Sequence, residues 1–142
     1  MGLVAQSHRI DSSEPQSGRP PSDIARVRLT ASFGEREVVL VVTALDKLLA
    51  HGGPHLVVCE IDDEINASAG SRRRLARELA DRHDAIAKGV RAFAVVARTP
   101  TSQGLHTALR WLTPAPCPER RFDSMLEAED WARSQASTEA KR

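Results

Sequence analysis

Large aromatic side chains are scarce in this chain of 142 residues, which has no tyrosine, three phenylalanines and two tryptophans. An excess of one charge is also lacking, because 20 basic residues face 19 acidic ones and leave a formal net charge of +1. Nucleic acids and anionic membranes are bound mainly by basic surfaces, and single strands also stack their bases on aromatic rings. The composition therefore gives no reason to expect nucleic acid as a partner.

Cysteines and long apolar runs are also few. The two cysteines, Cys59 and Cys117, have neither a neighbouring cysteine nor a metal-type spacing. The first residues show no signal-peptide pattern, so we expect a reducing, cytoplasmic location. The longest apolar run, 38–50, is interrupted by Asp46 and Lys47 and falls short of the ~20 residues that span a bilayer. We expect a protein without a membrane span.

Sequence motifs for cofactors and metals are missing as well. Neither Gly-x-Gly-x-x-Gly nor a Walker lysine motif occurs, so no loop that cradles phosphate is predicted. His51 and His55 are four residues apart, but the glycines and proline between them prevent the shared helical face that such metal ligands need. The sequence thus predicts no cofactor, no metal site and no recognised catalytic group.

What the chain does have is a regular alternation of strand-like and helix-like segments. In the first helical segment Val38, Val42 and Leu45 fall at helical spacing, so one side of a helix can pack against a sheet. Segment 55–61 is almost wholly apolar, as in a strand that is covered on both faces. The predicted strands are 24–33, 55–61, 90–98 and 119–122. The predicted helices are 37–50, 72–88, one that is capped by Thr101 or Ser102 and holds Leu105, Leu109 and Leu112, and 124–135.

This alternation favours a small α/β fold, with a mostly parallel sheet and about four helices. The length allows a single domain, which we place at residues 24–135. Before it, the sequence predicts a candidate edge strand at 4–10 and a flexible linker rich in serine and proline at 11–23. After it, residues 136–142 are expected to form a loose polar tail.

Four segments carry a resemblance to a known family. They are Leu45-Asp-Lys-Leu-Leu-Ala, the strand His55-Leu-Val-Val-Cys-Glu, the helix start Ser68-Ala-Gly-Ser-Arg, and the closing spacing Phe122-x(5)-Ala-x-x-Trp. In this order they resemble the STAS superfamily in its SpoIIAA-like form, over roughly residues 24–135. The resemblance implies a module of the anti-sigma-factor-antagonist type, which binds a partner protein, often a kinase-like one. It also implies that phosphorylation at the start of the helix after the second core strand breaks the complex.

The serines nearest to that phosphorylation position are Ser68 and Ser71, although the family's Asp-Ser-Ser-Gly or Asp-Ser-Thr-Gly is not present. A phosphate there would meet unpaired N–H groups and the positive end of a helix dipole, close to Arg72 and Arg73. These four residues are the candidate phosphorylation and partner-binding site. The alternative is an ordinary helix cap followed by a solvated basic turn.

The two tryptophans receive different predictions. Trp131 is expected to pack the final helix onto the sheet. Core packing is also the default for Trp111, which precedes the proline-rich segment 113–118. The alternative for Trp111 is an exposed anchor at a partner interface or at the mouth of a pocket, and we keep it as a candidate site.

Three functions remain open. The leading prediction is a non-enzymatic regulatory module that binds another protein or a second copy of itself. The second is a carrier of a small apolar or amphipathic ligand, which would need a closed apolar pocket near Trp111. The third is an enzyme with an unrecognised site built from Asp62, Asp63, His83 or His106, and it ranks last because a fold alone supplies no chemistry.

Overall fold

The computed structural model describes residues 24–140, with side chains described for 24–136. The strands are Ile24–Leu29 (β1), Ser32–Phe33 (β2), His55–Ile61 (β3), Asn66–Ala67 (β4), Val90–Val96 (β5) and Glu119–Phe122 (β6). The helices are Glu35–Ala50 (α1), Ala69–Asp81 (α2), His83–Gly89 (α3), Pro100–Leu112 (α4) and Met125–Ala140 (α5). The predicted edge strand at 4–10 and linker at 11–23 lie outside the described residues.

The main sheet has four parallel strands in the order β1-β3-β5-β6. Every connection between neighbouring strands contains a helix, as parallel pairing requires. The register places Val27 beside Cys59 and Cys59 beside Val95. The short strands β2 and β4 form a separate parallel pair. The predicted α/β class with a mostly parallel sheet is confirmed.

Four helices cover one face of this sheet. Val38 of α1, Leu75 of α2 and Leu105 of α4 pack with Ile61 and Val95 in the largest buried cluster. The helix α3 adds Ile86 to a neighbouring cluster around Val57. The buried residues lie on the apolar side that the helical spacing predicts for each helix. The amphipathic pattern therefore indicates which side of each helix faces the sheet.

The remaining helix, α5, covers the opposite face. Its Ala128 and Ala132 lie against the strand residues Val58 and Ala94, and all four are fully buried. Trp131 packs at the edge of this cluster, with its ring centroid 5.8 Å from that of Phe122. The small alanines allow the helix to lie close to the sheet, and the predicted packing role of Trp131 is confirmed.

One predicted helix is interrupted. The segment 72–88 was expected to be continuous, but it divides into α2 and α3 at Arg82, whose φ of -105° and ψ of 14° leave the helical region. The Arg82 guanidinium binds Asp46 of α1 through two hydrogen bonds of 2.6 and 3.0 Å, and it also binds Glu78 at 2.7 Å. The break between α2 and α3 therefore lies at the residue that is bound to another helix.

The start of α4 also differs from the prediction. Thr99, and neither Thr101 nor Ser102, is its cap, because the Thr99 hydroxyl accepts a hydrogen bond from the Ser102 amide at 3.1 Å. In return, the Ser102 hydroxyl accepts one from the Thr99 amide at 3.0 Å. Pro100 follows in the first helical position, where its missing N–H costs nothing.

Other boundaries shift by a few residues. The predicted strand 24–33 ends at Leu29, and Ser32 and Phe33 instead form β2. The predicted strand 90–98 ends at Val96. The final helix continues past residue 135 to Ala140, through part of the segment that was expected to be a loose tail.

Candidate functional site

The turn between β4 and α2 holds the two candidate serines. The Ser68 hydroxyl caps α2 by accepting a hydrogen bond from the Ser71 amide at 3.1 Å, and the two hydroxyl oxygens are also 3.1 Å apart. Ser68 is exposed, whereas Ser71 is only 3% exposed. A modifying enzyme could therefore reach Ser68 but not Ser71.

The arginines that follow Ser68 have different partners. Arg72 donates a hydrogen bond to the carbonyl oxygen of Ala67 at 2.7 Å, which holds its side chain against the turn. Arg74 forms salt bridges with Glu35 at 2.7 Å and Glu78 at 3.2 Å. Arg73 is exposed and has no ion pair within residues 24–136. It is a cation that remains available to an anion or an acidic partner near the start of α2.

A shallow depression lies beside this turn, between α2 and α4. We call it the α2–α4 groove, and its volume is about 370 Å³. Its lining residues are Ile65, Asn66, Ala67, Arg72, Thr101, Gly104, Leu105 and Ala108. At Gly104 a methyl group in place of the hydrogen would meet no atom within 4 Å, so the helix surface is open there.

A second depression, of about 400 Å³, lies next to β6. Its lining includes Arg120, Arg121, Asp123 and Glu127. Both depressions are open to solvent and carry charged side chains. They differ from the closed apolar pocket near Trp111 that a carrier of an apolar ligand would need.

Trp111 lies at the surface. It is 83% exposed, and the adjacent Leu112 is 50% exposed. The default prediction of core packing is wrong because α4 buries Leu105 and Leu109, and a residue two positions after Leu109 points away from that face. The alternative, an exposed anchor, stays a prediction.

A buried ionic cluster, which the sequence did not indicate, joins α4 to β6. Glu119 accepts two hydrogen bonds from Arg110, at 2.7 and 2.8 Å, and one from His106 Nε2 at 2.6 Å. Burial alone would raise the pKa of the Glu119 carboxyl, but the hydrogen bonds from His106 and Arg110 outweigh it and the pKa is lowered. The available signal was the spacing of His106 and Arg110, which puts both on one helix face.

The residues proposed for an unrecognised enzyme site do not come together. Asp62 follows β3 and pairs with Arg28 at 3.2 Å, and the backbone carbonyl of Asp63 accepts a hydrogen bond from Thr99. His106 binds Glu119, which pairs with Phe93 in the middle of β5, so it lies away from the end of the sheet where Asp62 follows β3. His83 is exposed on α3, at the start of that helix. No shared pocket contains these four side chains within the described part of the chain.

The thiols are poorly suited to nucleophilic chemistry. Burial raises the pKa of Cys59 to about 12 and that of Cys117 to about 11, so both stay protonated near neutral pH. Residues 24–136 contain no group of three or more histidine, cysteine, aspartate or glutamate side chains placed to hold a metal ion. None of the described helices has the length and apolar character needed to cross a membrane.

Comparisons with known proteins bear on the fold. No family model matches the chain, and no curated protein matches it. A solved structure is similar to it: an uncharacterised protein of the DUF3478 family from Shewanella loihica PV-4, described as having a SpoIIAA-like fold. The TM-score is 0.54 at 14% sequence identity, over 80% of this chain and 88% of that one. The chain therefore has a SpoIIAA-like fold, as the sequence resemblance implied.

Proposed function

We propose that this protein is a non-enzymatic regulatory module that binds another protein through the surface formed by Ser68, Arg73 and the α2–α4 groove. The observation that carries the proposal is the position of Ser68. It is the exposed cap of α2, and its neighbour Ala67 lines the open groove, while Arg73 further along the helix has no ion pair within residues 24–136. A kinase-like regulator is the class of partner that the family resemblance suggests.

Phosphorylation of Ser68 would regulate this surface by electrostatics. The phosphate would be stabilised on the protein by the unpaired N–H groups at the start of α2 and by the positive charge of Arg72 and Arg73 in the helix that follows. It would also add a charge of about -1.5 to -2 to a surface that must lose water when a partner binds. We therefore expect the unmodified form to bind and the phosphorylated form to be released.

The geometry gives less support to the two other functions. Asp62 follows one end of the sheet and His106 lies beside its middle, where each is paired with another residue, which favours binding over catalysis. The open, charged depressions favour a protein partner over a small apolar ligand, because ligand pockets usually enclose most of the ligand in an apolar lining.

The test is quantitative affinity capture from native lysate with the full tagged chain, read by mass spectrometry. We would compare wild type with Ser68→Glu, and use Ser134→Glu as the matched control, since Ser134 is exposed on α5, which covers the other sheet face. We expect a stoichiometric protein with wild type and with the control, and its loss with Ser68→Glu. Equal recovery of every captured protein by all three forms would contradict the proposal.

A further inference from the structure

One face of α4 combines a protruding ring with an open gap. Thr101, Gly104, Ala108 and Trp111 follow one another at intervals of three or four residues, so they share a helix face. Trp111 is 83% exposed at one end of this face. Two turns away, Gly104 leaves space beside the helix and opens into the α2–α4 groove.

Hydrogen bonds of the flanking residues hold the backbone around Trp111 in place. The adjacent Arg110 is fixed by Glu119 and donates a further hydrogen bond to the carbonyl oxygen of Thr113 at 2.7 Å. Thr113 is buried, and its amide donates to the carbonyl oxygen of Leu109 at 2.9 Å. The backbone on both sides of Trp111 is thus already ordered, which lowers the entropy lost when the ring becomes buried in an interface.

We propose that the occupant of this face is a second copy of the chain, with the two α4 helices packed antiparallel about a twofold axis. If the axis passes between residues 107 and 108, position 111 of each copy faces position 104 of the other. Each Trp111 then enters the partner's α2–α4 groove at Gly104, and the same contact is made twice. Such self-complementarity is what a closed twofold dimer requires.

Charge complementarity supports a second copy. Arg72 lines the groove, and its guanidinium is anchored by the Ala67 carbonyl, so a cation is already present where the electron-rich face of the entering indole would lie. An antiparallel pair also places the positive end of each α4 dipole beside the negative end of the other. The twofold contact does not require Ser68, but it fills the same α2–α4 groove that the proposed protein partner would use, so the dimer and that complex exclude each other.

The experiment is sedimentation of the purified full chain over a concentration series, with circular dichroism to verify that each variant is folded. We expect a reversible monomer–dimer equilibrium in wild type, and we expect Trp111→Ala to raise the dissociation constant about 30-fold or more, as for an interface hot spot. Leu126→Ala is the matched control, because Leu126 is 68% exposed on α5. It should leave the dissociation constant unchanged within about threefold.

A second variant tests the gap directly. Gly104→Leu fills an open position, so the monomer should fold while the dimer is lost. A wild-type chain that stays monomeric up to about 1 mM would overturn the proposal. So would a dimer that persists in either Trp111→Ala or Gly104→Leu, or one that Leu126→Ala weakens to the same extent.

Discussion

Glu119 shows how one side chain can fix a whole connection. It lies at the start of β6 with only 7% of its side chain exposed, and it accepts hydrogen bonds from His106 and Arg110 of α4. Arg110 also donates a hydrogen bond to the carbonyl oxygen of Thr113, just after α4. The Glu119 carboxylate therefore helps to fix the position of the C-terminal end of this helix. A buried carboxylate is stable only while the groups that donate hydrogen bonds to it are present.

We therefore expect Glu119→Gln to lower the free energy of unfolding at neutral pH by about 2 kcal/mol, because it leaves Arg110 without its charged partner. The pKa of Glu119 is lowered from the ordinary value of 4.5 in the folded protein. Its contribution is therefore complete above 4.5 and is lost as the pH falls through the lower folded value. Urea denaturation over a pH series should show the difference between wild type and variant shrinking in acid.

The control is Glu127→Gln, a change to an exposed carboxylate on α5. It should alter the free energy of unfolding by less than about 0.5 kcal/mol. A wild-type advantage over Glu119→Gln that stays constant down to about pH 3 would exclude the carboxylate charge as its source.

The sequence predicted the role of some single residues and missed that of others. Ser68 was identified as a cap candidate because capping depends on local chain geometry. Core packing was the default prediction for Trp111 and exposure only the alternative, because the choice depends on which side of α4 meets the sheet. The pairing of His106 with Glu119 was missed because it needs the spatial position of a strand that lies after the loop.

The cap of α4 shows how one side chain stabilises the start of a helix. Thr99 links the start of α4 to the turn after β3, because its hydroxyl caps the helix and also donates to the carbonyl oxygen of Asp63 at 2.8 Å. We expect Thr99→Ala to lower the free energy of unfolding by about 1 kcal/mol or somewhat more, since it removes both the cap and this contact. Thermal or urea denaturation measures the change.

Thr101→Ala is the matched control for this prediction. Thr101 was itself a predicted cap, yet it is exposed inside α4 and has no capping hydrogen bond. We expect a change within about 0.5 kcal/mol. The opposite ranking of the two variants would show that the helix begins later than Thr99.

Helix boundaries were harder to predict than helix existence. The periodic apolar residues identified a helical region around 72–88, but its break at Arg82 coincides with an ion pair to Asp46 on another helix. A contact 36 positions away in the chain leaves no local pattern in the sequence. By contrast, the strand His55–Ile61 was predicted with its observed bounds, because it is a short apolar run that begins just after a proline.

The turn after α1 packs against the end of α3, so this contact joins two separate segments of the fold. A methyl group added at Gly53 would lie 2.7 Å from the carbonyl oxygen of Gly89, which is backbone and cannot easily move. We therefore expect Gly53→Ala to lower the free energy of unfolding by about 1–3 kcal/mol, as overpacking does. Chemical denaturation of the full chain provides the measurement.

The neighbouring Gly52→Ala serves as control, because its added methyl group would meet no atom within 4 Å. We expect it to be neutral within about 0.5 kcal/mol. A similar loss in both variants would point to a general effect of the turn and would argue against the contact with Gly89.

The overall fold was the most predictable level. Alternating segments and the nearly continuous apolar strand at His55–Ile61 are enough to indicate parallel strands with crossover helices, because few other arrangements bury such strands on both faces. The candidate site was only partly predictable. The position of Ser68 at the start of a helix could be predicted from the order of the elements along the chain. The α2–α4 groove could not, because it depends on how two helices pack side by side.

The unequal cover of the two sheet faces also bears on how the protein forms during its synthesis. The strands lie in the same spatial order as in the chain, so each one emerging from the ribosome can join the edge left by its predecessor. One face gains helices along the way, but the described helix that covers the other is α5, the last of the five. Until α5 emerges, no described helix covers that face, so we expect its apolar residues to be what nascent-chain chaperones meet.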